Sequence, residues 1–411
     1  MTAPLPTGYR SLVARHWRIL CFGGVLMALS SAGQTFFIAL SGARIRQDFQ
    51  LSDGDFGTAY AAATIASAAT MAWVGRLVDT VSVRRFTMAV GLVLAGACLL
   101  LAWSPNLPVL VLSLYLLRLA GQGLMAHTAM TTIARALPAD RGKAIGLAAL
   151  GLALGEALVP IAAVRGIGAL DWRPVWLLCA GAVLLGLALA LTLARPGFGP
   201  ARAMAAGQPP SGPAESALWR DPAFLRRLPI LLCSPFITTA MFFHQTRLAQ
   251  EKGWALGWIA SWFVAYAVAR AGSLVLVGPL LDRRSAAGLL PWLAMPLGLA
   301  MGVIALVGSD VAVPLYMLLF GLGAAASGVL GTALWAELYG THRLGRIRAL
   351  TEGGNVLASG LAPALTGLLI DRGVSLSTQA LGLAAVVAVA GLCARDPARL
   401  LARRRSRGSG A

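Results

Sequence analysis

The chain is divided into about twelve apolar stretches, each close to 20 residues long, separated by short turns that carry polar residues, proline or glycine. A helix of about 20 apolar residues crosses a hydrocarbon core of about 30 Å. Hydrophobic residues make up 58% of the sequence and charged residues only 12%, which is more apolar side chain than one globular core of 411 residues buries. The pattern predicts an all-α integral membrane protein with twelve transmembrane helices. The first helix is expected over residues 18–42 and the seventh over 228–250.

A second regularity is an internal repeat with an offset of 203 residues. The matching pairs are Gly75 and Gly278, Asp79 and Asp282, Lys143 and Arg346, Leu147 and Leu350, Gly151 and Gly354, and Pro160 and Pro363. Because the register holds without slippage, each half is expected to place the same helices and turns at the same depth. Parallel repeats in an apolar chain are typical of transporters whose two halves rock about a central site.

The repeat also predicts the domain organisation. We expect two pseudo-symmetric six-helix bundles, an N-terminal one at 1–195 and a C-terminal one at 228–394. The segment 196–227 between them is rich in proline and glycine and is predicted to be a cytoplasmic linker. Residues 395–411 are predicted to form a basic cytoplasmic tail. A monomer is expected.

The formal charge of +18 is distributed unevenly along the chain. Most arginines lie in the even-numbered gaps between helices and at the two ends. The odd-numbered gaps hold only Arg44, Arg46, Arg165, Arg173, Arg247, Lys252 and Arg372. This asymmetry follows the positive-inside rule, so we expect both termini in the cytoplasm. The protein is predicted to lie in a bacterial inner membrane. Orientation in the lipid bilayer then explains the net positive charge, and no nucleic-acid partner is expected.

The sequence contains no HExxH, GxSxG or clustered Cys/His pattern. Its five cysteines fall singly in apolar segments, where they are interpreted as packing residues. We therefore predict that the protein is not an enzyme and that it uses no bound cofactor and no metal.

Several short motifs occur in a consistent order along the chain. They are Gly75–Asp79 followed by Arg84 and Arg85, the related Gly278–Arg283 in the second half, Arg118–Gly123 in the fourth helix, and Asp171–Arg173 before the sixth helix. Together they resemble the signature motifs of the major facilitator superfamily, and the resemblance covers nearly the whole chain. It implies a transporter fold in which the first, fourth, fifth, seventh and eighth helices line the cavity. It also implies a cytoplasmic gating latch formed by Gly75, Asp79, Arg84, Arg85, Gly278, Asp282 and Arg283.

Four ionisable residues fall inside the apolar stretches, where a charge needs a polar partner or a water-filled cavity. They are Arg118, Glu156, His244 and Arg270. Counting about 1.5 Å per residue places them in one layer near the middle of the membrane, together with Gln34 and Gln245. We predict that the solute-binding residues are Arg270, Arg118, Gln34, His244 and Gln245. Glu156 and His244 are the candidates for proton coupling.

Arg270 breaks the symmetry of the repeat, because its counterpart in the first half is Ser67. A guanidinium is a planar fork suited to a carboxylate or phosphate, so Arg270 is predicted to hold an anionic group of the solute. A structural ion pair with another helix is the alternative. Arg118 and Glu156 lie at similar depth and could form either a packing ion pair or a proton relay.

The sequence therefore predicts a secondary transporter of the major facilitator superfamily, proton-coupled and moving a small organic anion. The fifth helix carries Gly146, Gly151 and Gly155 before Val159 and Pro160, which partly resembles the proton-antiporter signature of this superfamily. Drug efflux by proton antiport is therefore an alternative. A membrane sensor that binds a solute without transporting it is an alternative from another class. Substrate identity and direction stay open at this stage.

Overall fold

The computed structural model describes residues 8–194, 218–340 and 344–395, and all regular secondary structure in these ranges is helical. Most of the predicted linker, residues 196–217, lies outside the described residues. The predicted tail does so beyond Arg395.

Twelve helices in the described ranges are long and apolar enough to cross a membrane. We number them α1 (Tyr9–Leu29), α2 (Asp53–Val74), α3 (Val83–Ala102), α4 (Leu107–Ala136), α5 (Arg141–Leu170), α6 (Trp172–Leu193), α7 (Pro222–Phe243), α8 (Leu256–Arg283), α9 (Ala286–Leu306), α10 (Ala312–Tyr339), α11 (Leu344–Asp371) and α12 (Leu376–Cys393). Because each helix reverses the direction of the chain, the segments after α1, α3, α5, α7, α9 and α11 share one side of the membrane. We call it the odd-loop side.

The duplication predicted from sequence is present in the backbone. Helices α2 and α8 begin 203 residues apart, at Asp53 and Leu256. Just before them, two eight-residue helices, Gly42–Phe49 and Gln245–Lys252, have the same offset. Both short helices end at a residue in the left-handed conformation, Gln50 and Gly253. The second position is a glycine, which adopts this conformation without steric penalty.

The first and seventh helices differ from the sequence prediction. Helix α1 begins at Tyr9, well before residue 18, and ends at Leu29. A 3-10 turn over Ser30–Gly33 and one extended residue, Gln34, follow before the chain resumes a short helix. Helix α7 likewise ends at Phe243, before a kink at His244. The prediction of unbroken helices was wrong here because window-averaged hydropathy does not register a break only a few residues long.

The described part of the chain forms two compact units. The first consists of the described residues within Met1–Gly207, Thr239–Ala267 and Gly360–Gly373, and the second of the other described residues. The first unit therefore contains the odd-loop ends of α7, α8 and α11 as well as α1 to α6. These units are groupings by contact, and the domain boundaries inferred from the repeat stay a prediction.

Within the first unit, small residues bring helices close together. A Cβ added to Gly151 of α5 would lie 2.9 Å from the Cα of Gly24 in α1, so these two backbones are in direct contact. Helices α3 and α6 also pack against each other. The sulfur atoms of Cys98 and Cys179 lie 3.8 Å apart in this interface. Both are free thiols and pack against each other here.

Within the second unit, α9 packs against α10 and α12. The N-terminus of α9 is capped twice. The Ser285 hydroxyl accepts from the backbone N–H of Gly288, and the Glu337 carboxylate of α10 accepts from Ala286 N–H at 2.7 Å. A carboxylate at this position neutralises the positive end of the helix dipole and satisfies unpaired N–H groups.

Candidate functional site

Arg118 lies in a π-helical segment of α4, Arg118–Met125, and only 3% of it is exposed. Its Nη1 donates to the carbonyl oxygen of Gly33 at 3.1 Å and to the Thr35 hydroxyl at 3.4 Å. Its guanidinium carbon lies 5.2 Å from the ring centroid of Tyr60 in α2. The break in α1 frees the Gly33 carbonyl for this contact. The buried charge of Arg118 is thus held by polar and aromatic groups of α1 and α2.

The approach of α4 to the break in α1 depends on two glycines. A Cβ added to Gly121 would lie 2.6 Å from both the Cα and the N of Gly33. Any larger residue at either position would push the two backbones apart. The π-helical segment and the 3-10 turn meet at this point. Such irregular backbone is tolerated inside a membrane only where protein or a cavity surrounds it, and it is frequent at functional sites.

Two further residues of the predicted layer lie near this break. Gln34 is the extended residue of the break itself and is half-buried. Glu156 of α5 is 4% exposed. A Cβ on its neighbour Gly155 would clash with the Ser31 hydroxyl, so this part of α5 packs directly against the 3-10 turn after α1. The structure therefore brings Gln34, Arg118 and the α5 segment carrying Glu156 to the same broken section of α1.

His244 lies at the end of α7 and is 2% exposed. Its Nδ1 is 3.5 Å from Oδ1 of Asp53, the first residue of α2, and its Nε2 is 3.0 Å from the carbonyl oxygen of Pro363 in α11. The other carboxylate oxygen of Asp53 pairs with Nη1 of Arg46 at 2.8 Å. The adjacent Gln245 donates to the Phe36 carbonyl at 2.9 Å. The structure places His244 in a packed contact of α2, α7 and α11.

Asp371 caps the N-terminus of α2 from the end of α11. Its carboxylate accepts from the Ser52 hydroxyl at 2.8 Å and from the backbone N–H groups of Asp53 and Gly54 at 3.1 and 2.9 Å. The first N–H groups of a helix have no partner within it, so this carboxylate supplies acceptors that α2 would otherwise lack. The interaction joins two helices that are more than 300 residues apart in the sequence.

Glycines allow α2 and α11 to touch along their backbones. A Cβ on Gly57 would lie 2.7 Å from the Pro363 carbonyl carbon, and one on Gly367 would lie 2.6 Å from the Asp53 carbonyl carbon. Phe243 covers this contact, with its ring centroid 5.1 Å from that of Phe56. We call this contact the odd-loop gate. It consists of Asp53, Gly54, Phe56, Gly57, Phe243, His244, Pro363, Gly367 and Asp371.

The cap provides a direct test of how the odd-loop gate is held. We expect Asp371→Ala to accelerate amide hydrogen exchange of the first turn of α2 by about tenfold, because charge-assisted hydrogen bonds at a solvent-exposed carboxylate contribute about 1–2 kcal/mol together. Asp371→Asn retains one acceptor oxygen and should show a smaller increase. Peptide-resolved exchange measured by mass spectrometry checks both variants. Unchanged protection in Asp371→Ala would mean that the cap does not stabilise the gate.

The predicted latch residues lie at the opposite end of α2. Asp79 forms a close ion pair with Arg135 at the end of α4, and Arg135 also donates to the Val78 carbonyl at 3.3 Å. The Gly75 carbonyl lies 3.2 Å from Nε2 of His127. Arg84 and Arg85 are exposed at the start of α3. The structure thus brings Asp79 to Arg135, a residue that the motif did not include.

The corresponding residues of the second half lie in α8. Gly278 and Asp282 are helical, but their side chains lie outside what the structure describes. Arg283 is exposed at the end of that helix. Arg270 lies further back in α8 and is partly buried. The predicted role of Arg270 in solute binding stays a prediction.

Sequence reasoning missed most of the odd-loop gate. Asp53 stands at the N-terminus of α2, where acidic residues are common, whereas Asp371 is the last residue of α11. A local signal for the start of α2 existed in Ser52 and Asp55, which form a capping box. No local signal connects Asp371 to α2, because that contact depends on the arrangement of distant helices.

Twelve helices long and apolar enough to cross a membrane, in duplicated order and with a broken first helix, define a polytopic membrane protein. The sequence profile of the Major Facilitator Superfamily matches residues 20–363, and the chain belongs to that family. No curated protein sequence gives a significant match.

The solved structures of other carriers share this fold. The nucleoside transporter NupG superimposes with a TM-score of 0.73 at 13% identity, covering 92% of this chain and 98% of its own. A bacterial homologue of the human lysosomal transporter Spinster, in an inward-facing and occupied conformation, gives 0.70 at 15% identity, covering 94% and 96%. At these identities the similarity establishes the fold.

Proposed function

We propose that the protein is a secondary active transporter that moves a small organic anion by alternating access and couples this movement to protons. The observation that carries the anion assignment is Arg118, a cation buried inside a membrane-spanning helix. Its Nε–H has no hydrogen-bond acceptor among the described residues. A buried guanidinium with a remaining donor favours a carboxylate or phosphate over a lipophilic cation. Arg270 of α8 is a second candidate for holding the anionic group.

We further propose that the chain is a bacterial inner-membrane protein with cytoplasmic termini. The uneven distribution of arginine favours termini in the cytoplasm. The odd-loop side is then the outer side, and the contacts of Asp53 with His244 and Asp371 in the odd-loop gate lie there. Opening to the outside would require α2 to separate from the ends of α7 and α11.

Proton coupling is assigned to His244 and Glu156. The two ring nitrogens of His244 face a carboxylate oxygen of Asp53 and a carbonyl oxygen of Pro363. The carbonyl oxygen can only accept hydrogen bonds, and so can the carboxylate when Asp53 is ionised. The imidazolium form satisfies both acceptors, so proton uptake by His244 would favour the closed gate. The other charged groups near this pair are Arg46, Arg247 and Asp371. Glu156 would bind a proton separately, near the break in α1.

The substrate class is tested by thermal unfolding of purified protein in the presence of small carboxylates, organic phosphates, nucleosides and lipophilic cations, at two pH values. A ligand that binds only the native state raises the Tm. We expect an organic anion to do so and its apparent affinity to fall about tenfold in Arg118→Lys, because a point charge does not reproduce the guanidinium fork. Arg165→Gln changes an exposed arginine of α5 and serves as the control.

Stabilisation only by lipophilic cations would replace the anion assignment with drug efflux, and stabilisation only by nucleosides would replace it with nucleoside transport.

Proton coupling is tested in proteoliposomes once a solute is identified. Glu156→Gln and His244→Gln should retain solute exchange and lose accumulation driven by a pH gradient. Intact accumulation in both variants would contradict the coupling assignment. Binding without any flux in the wild-type protein would indicate a sensor.

A further inference from the structure

A cleft of about 550 Å³ opens on the odd-loop side between the two short helices Gly42–Phe49 and Gln245–Lys252. These helices are repeat counterparts, and four of the side chains that line the cleft are counterparts as well. Arg44 corresponds to Arg247, and Gln47 corresponds to Gln250, each with the offset of 203 residues. Arginine and glutamine three residues apart lie on one face of a helix. The duplicated chain thus presents the same pair of side chains twice to one cleft.

Positive charge dominates this cleft. Arg44, Arg46 and Arg247 line it, and among the described residues no carboxylate does. The odd-loop segments as a whole contain few cations, so the gathering of three arginines here does not follow from the composition of this side. Charges of one sign in a concave surface raise the local concentration of counter-ions.

The arginines of the cleft are only partly neutralised by neighbouring acids. Arg44 lies 4.0 Å from Asp171, and both side chains are more than half exposed, which makes a weak pair. Arg46 is paired with Asp53 of the odd-loop gate. Arg247 is exposed and forms no ion pair within the part of the chain that the structure describes. Two guanidinium groups therefore remain accessible from the cleft, next to two amide groups that add neutral donors.

We propose that this cleft is an anion-binding site for a carboxylate or phosphate group, in which Arg44 and Arg247 bind the anion from opposite sides and Gln47 and Gln250 donate further hydrogen bonds. The anion is either a free solute on the odd-loop side or the phosphate of a phospholipid headgroup. The site is separate from the buried solute site proposed above. Its test requires no transported substrate, so the two proposals can fail independently.

The free-anion source is tested with inorganic phosphate. The Tm of the purified full-length protein is measured during a phosphate titration, with chloride keeping the ionic strength constant because screening affects exposed charges. We expect phosphate to raise the Tm of the wild-type protein. Arg44→Gln and Arg247→Gln should each raise the half-saturating concentration by about tenfold, since each removes one charge-assisted contact.

The lipid source is tested by native mass spectrometry of the protein released from mixed micelles of phosphatidylglycerol and phosphatidylcholine. Retention of phosphatidylglycerol that disappears in Arg44→Gln and Arg247→Gln supports a headgroup site. The matched control is Arg165→Gln, which removes an exposed arginine on the same side outside the cleft. The proposal is overturned if neither phosphate nor phosphatidylglycerol binds. It is also overturned if the control variant weakens binding as much as the cleft variants do.

Discussion

Replacing Gly57 by valine is expected to prevent closure of the odd-loop gate and to reduce transport by about 100-fold. A Cβ at this position would lie 2.7 Å from the Pro363 carbonyl carbon and 3.0 Å from the Cα of Ala364. Both neighbours are backbone atoms of α11, so no side-chain rotation relieves the overlap. Overpacking of this kind costs about 3 kcal/mol, which corresponds to a factor of about 100 in the population of the closed state. Hydrogen exchange across the first turns of α2 reports the opening without knowledge of the substrate.

Gly96→Val is the matched control for this substitution. Gly96 lies in α3, is exposed, and has nothing within 4 Å of an added Cβ. Glycine and valine differ little in helix propensity, so the comparison isolates the steric effect at Gly57. Gly57→Ala should show a smaller increase in exchange than Gly57→Val. Equal exchange and equal transport in Gly57→Val and Gly96→Val would show that contact between α2 and α11 is not required.

The second large effect is expected for Arg118→Ala, which should lower the free energy of unfolding by about 3 kcal/mol. The change removes the donors to the Gly33 carbonyl and the Thr35 hydroxyl, as well as the cation over the Tyr60 ring. The Gly33 carbonyl would remain buried without its donor, and the broken backbone after α1 would lose the side chain that stabilises it. Unfolding in detergent by chemical denaturation measures this loss.

Two further variants show whether the loss is specific to the buried charge. Arg118→Lys keeps a cation near Tyr60 but not the geometry of the guanidinium, so we expect it to recover only part of the stability. Arg165→Ala removes an exposed arginine and should change the stability by less than about 0.5 kcal/mol. If Arg118→Ala were as stable as Arg165→Ala, then Arg118 would not hold the break in α1.

Most helices could be predicted from the sequence because their signal is local. An apolar stretch of about 20 residues has only one stable backbone in lipid, since every N–H and C=O must be satisfied within the segment. The repeat further predicted that helices of the two halves begin at equivalent positions, and α2 and α8 do begin 203 residues apart. The interruptions at Gln34 and His244 escaped prediction because they are stabilised by other helices. At the first interruption Arg118 donates a hydrogen bond to the Gly33 carbonyl. At the second, Asp53 and Pro363 contact the two ring nitrogens of His244.

The candidate site was predictable only as a set of residue types. Ionisable residues inside apolar helices are rare enough to be recognised one by one, which identified Arg118, Glu156, His244 and Arg270. Their partners could not be identified in this way. Gly33 and Tyr60 carry no local feature that marks them as partners of Arg118. Asp53 stands at a helix N-terminus like many other acidic residues, and nothing local connects it to His244. The 203-residue offset between Arg44 and Arg247 can be read from the sequence, but only the structure shows that both residues line one cleft.

The sequence by itself determined that the chain lies in a membrane, that it crosses twelve times, and that its two halves repeat one plan. These properties follow from burial of apolar side chains and from hydrogen bonding within each helix, which depend on neighbouring residues alone. The tertiary structure decided which helices break, which charges are paired and which helix ends meet in the first unit. These outcomes depend on contacts such as Gly57 with Pro363 and Asp371 with the N-terminus of α2. Such contacts join residues about 300 positions apart, and no local pattern encodes them.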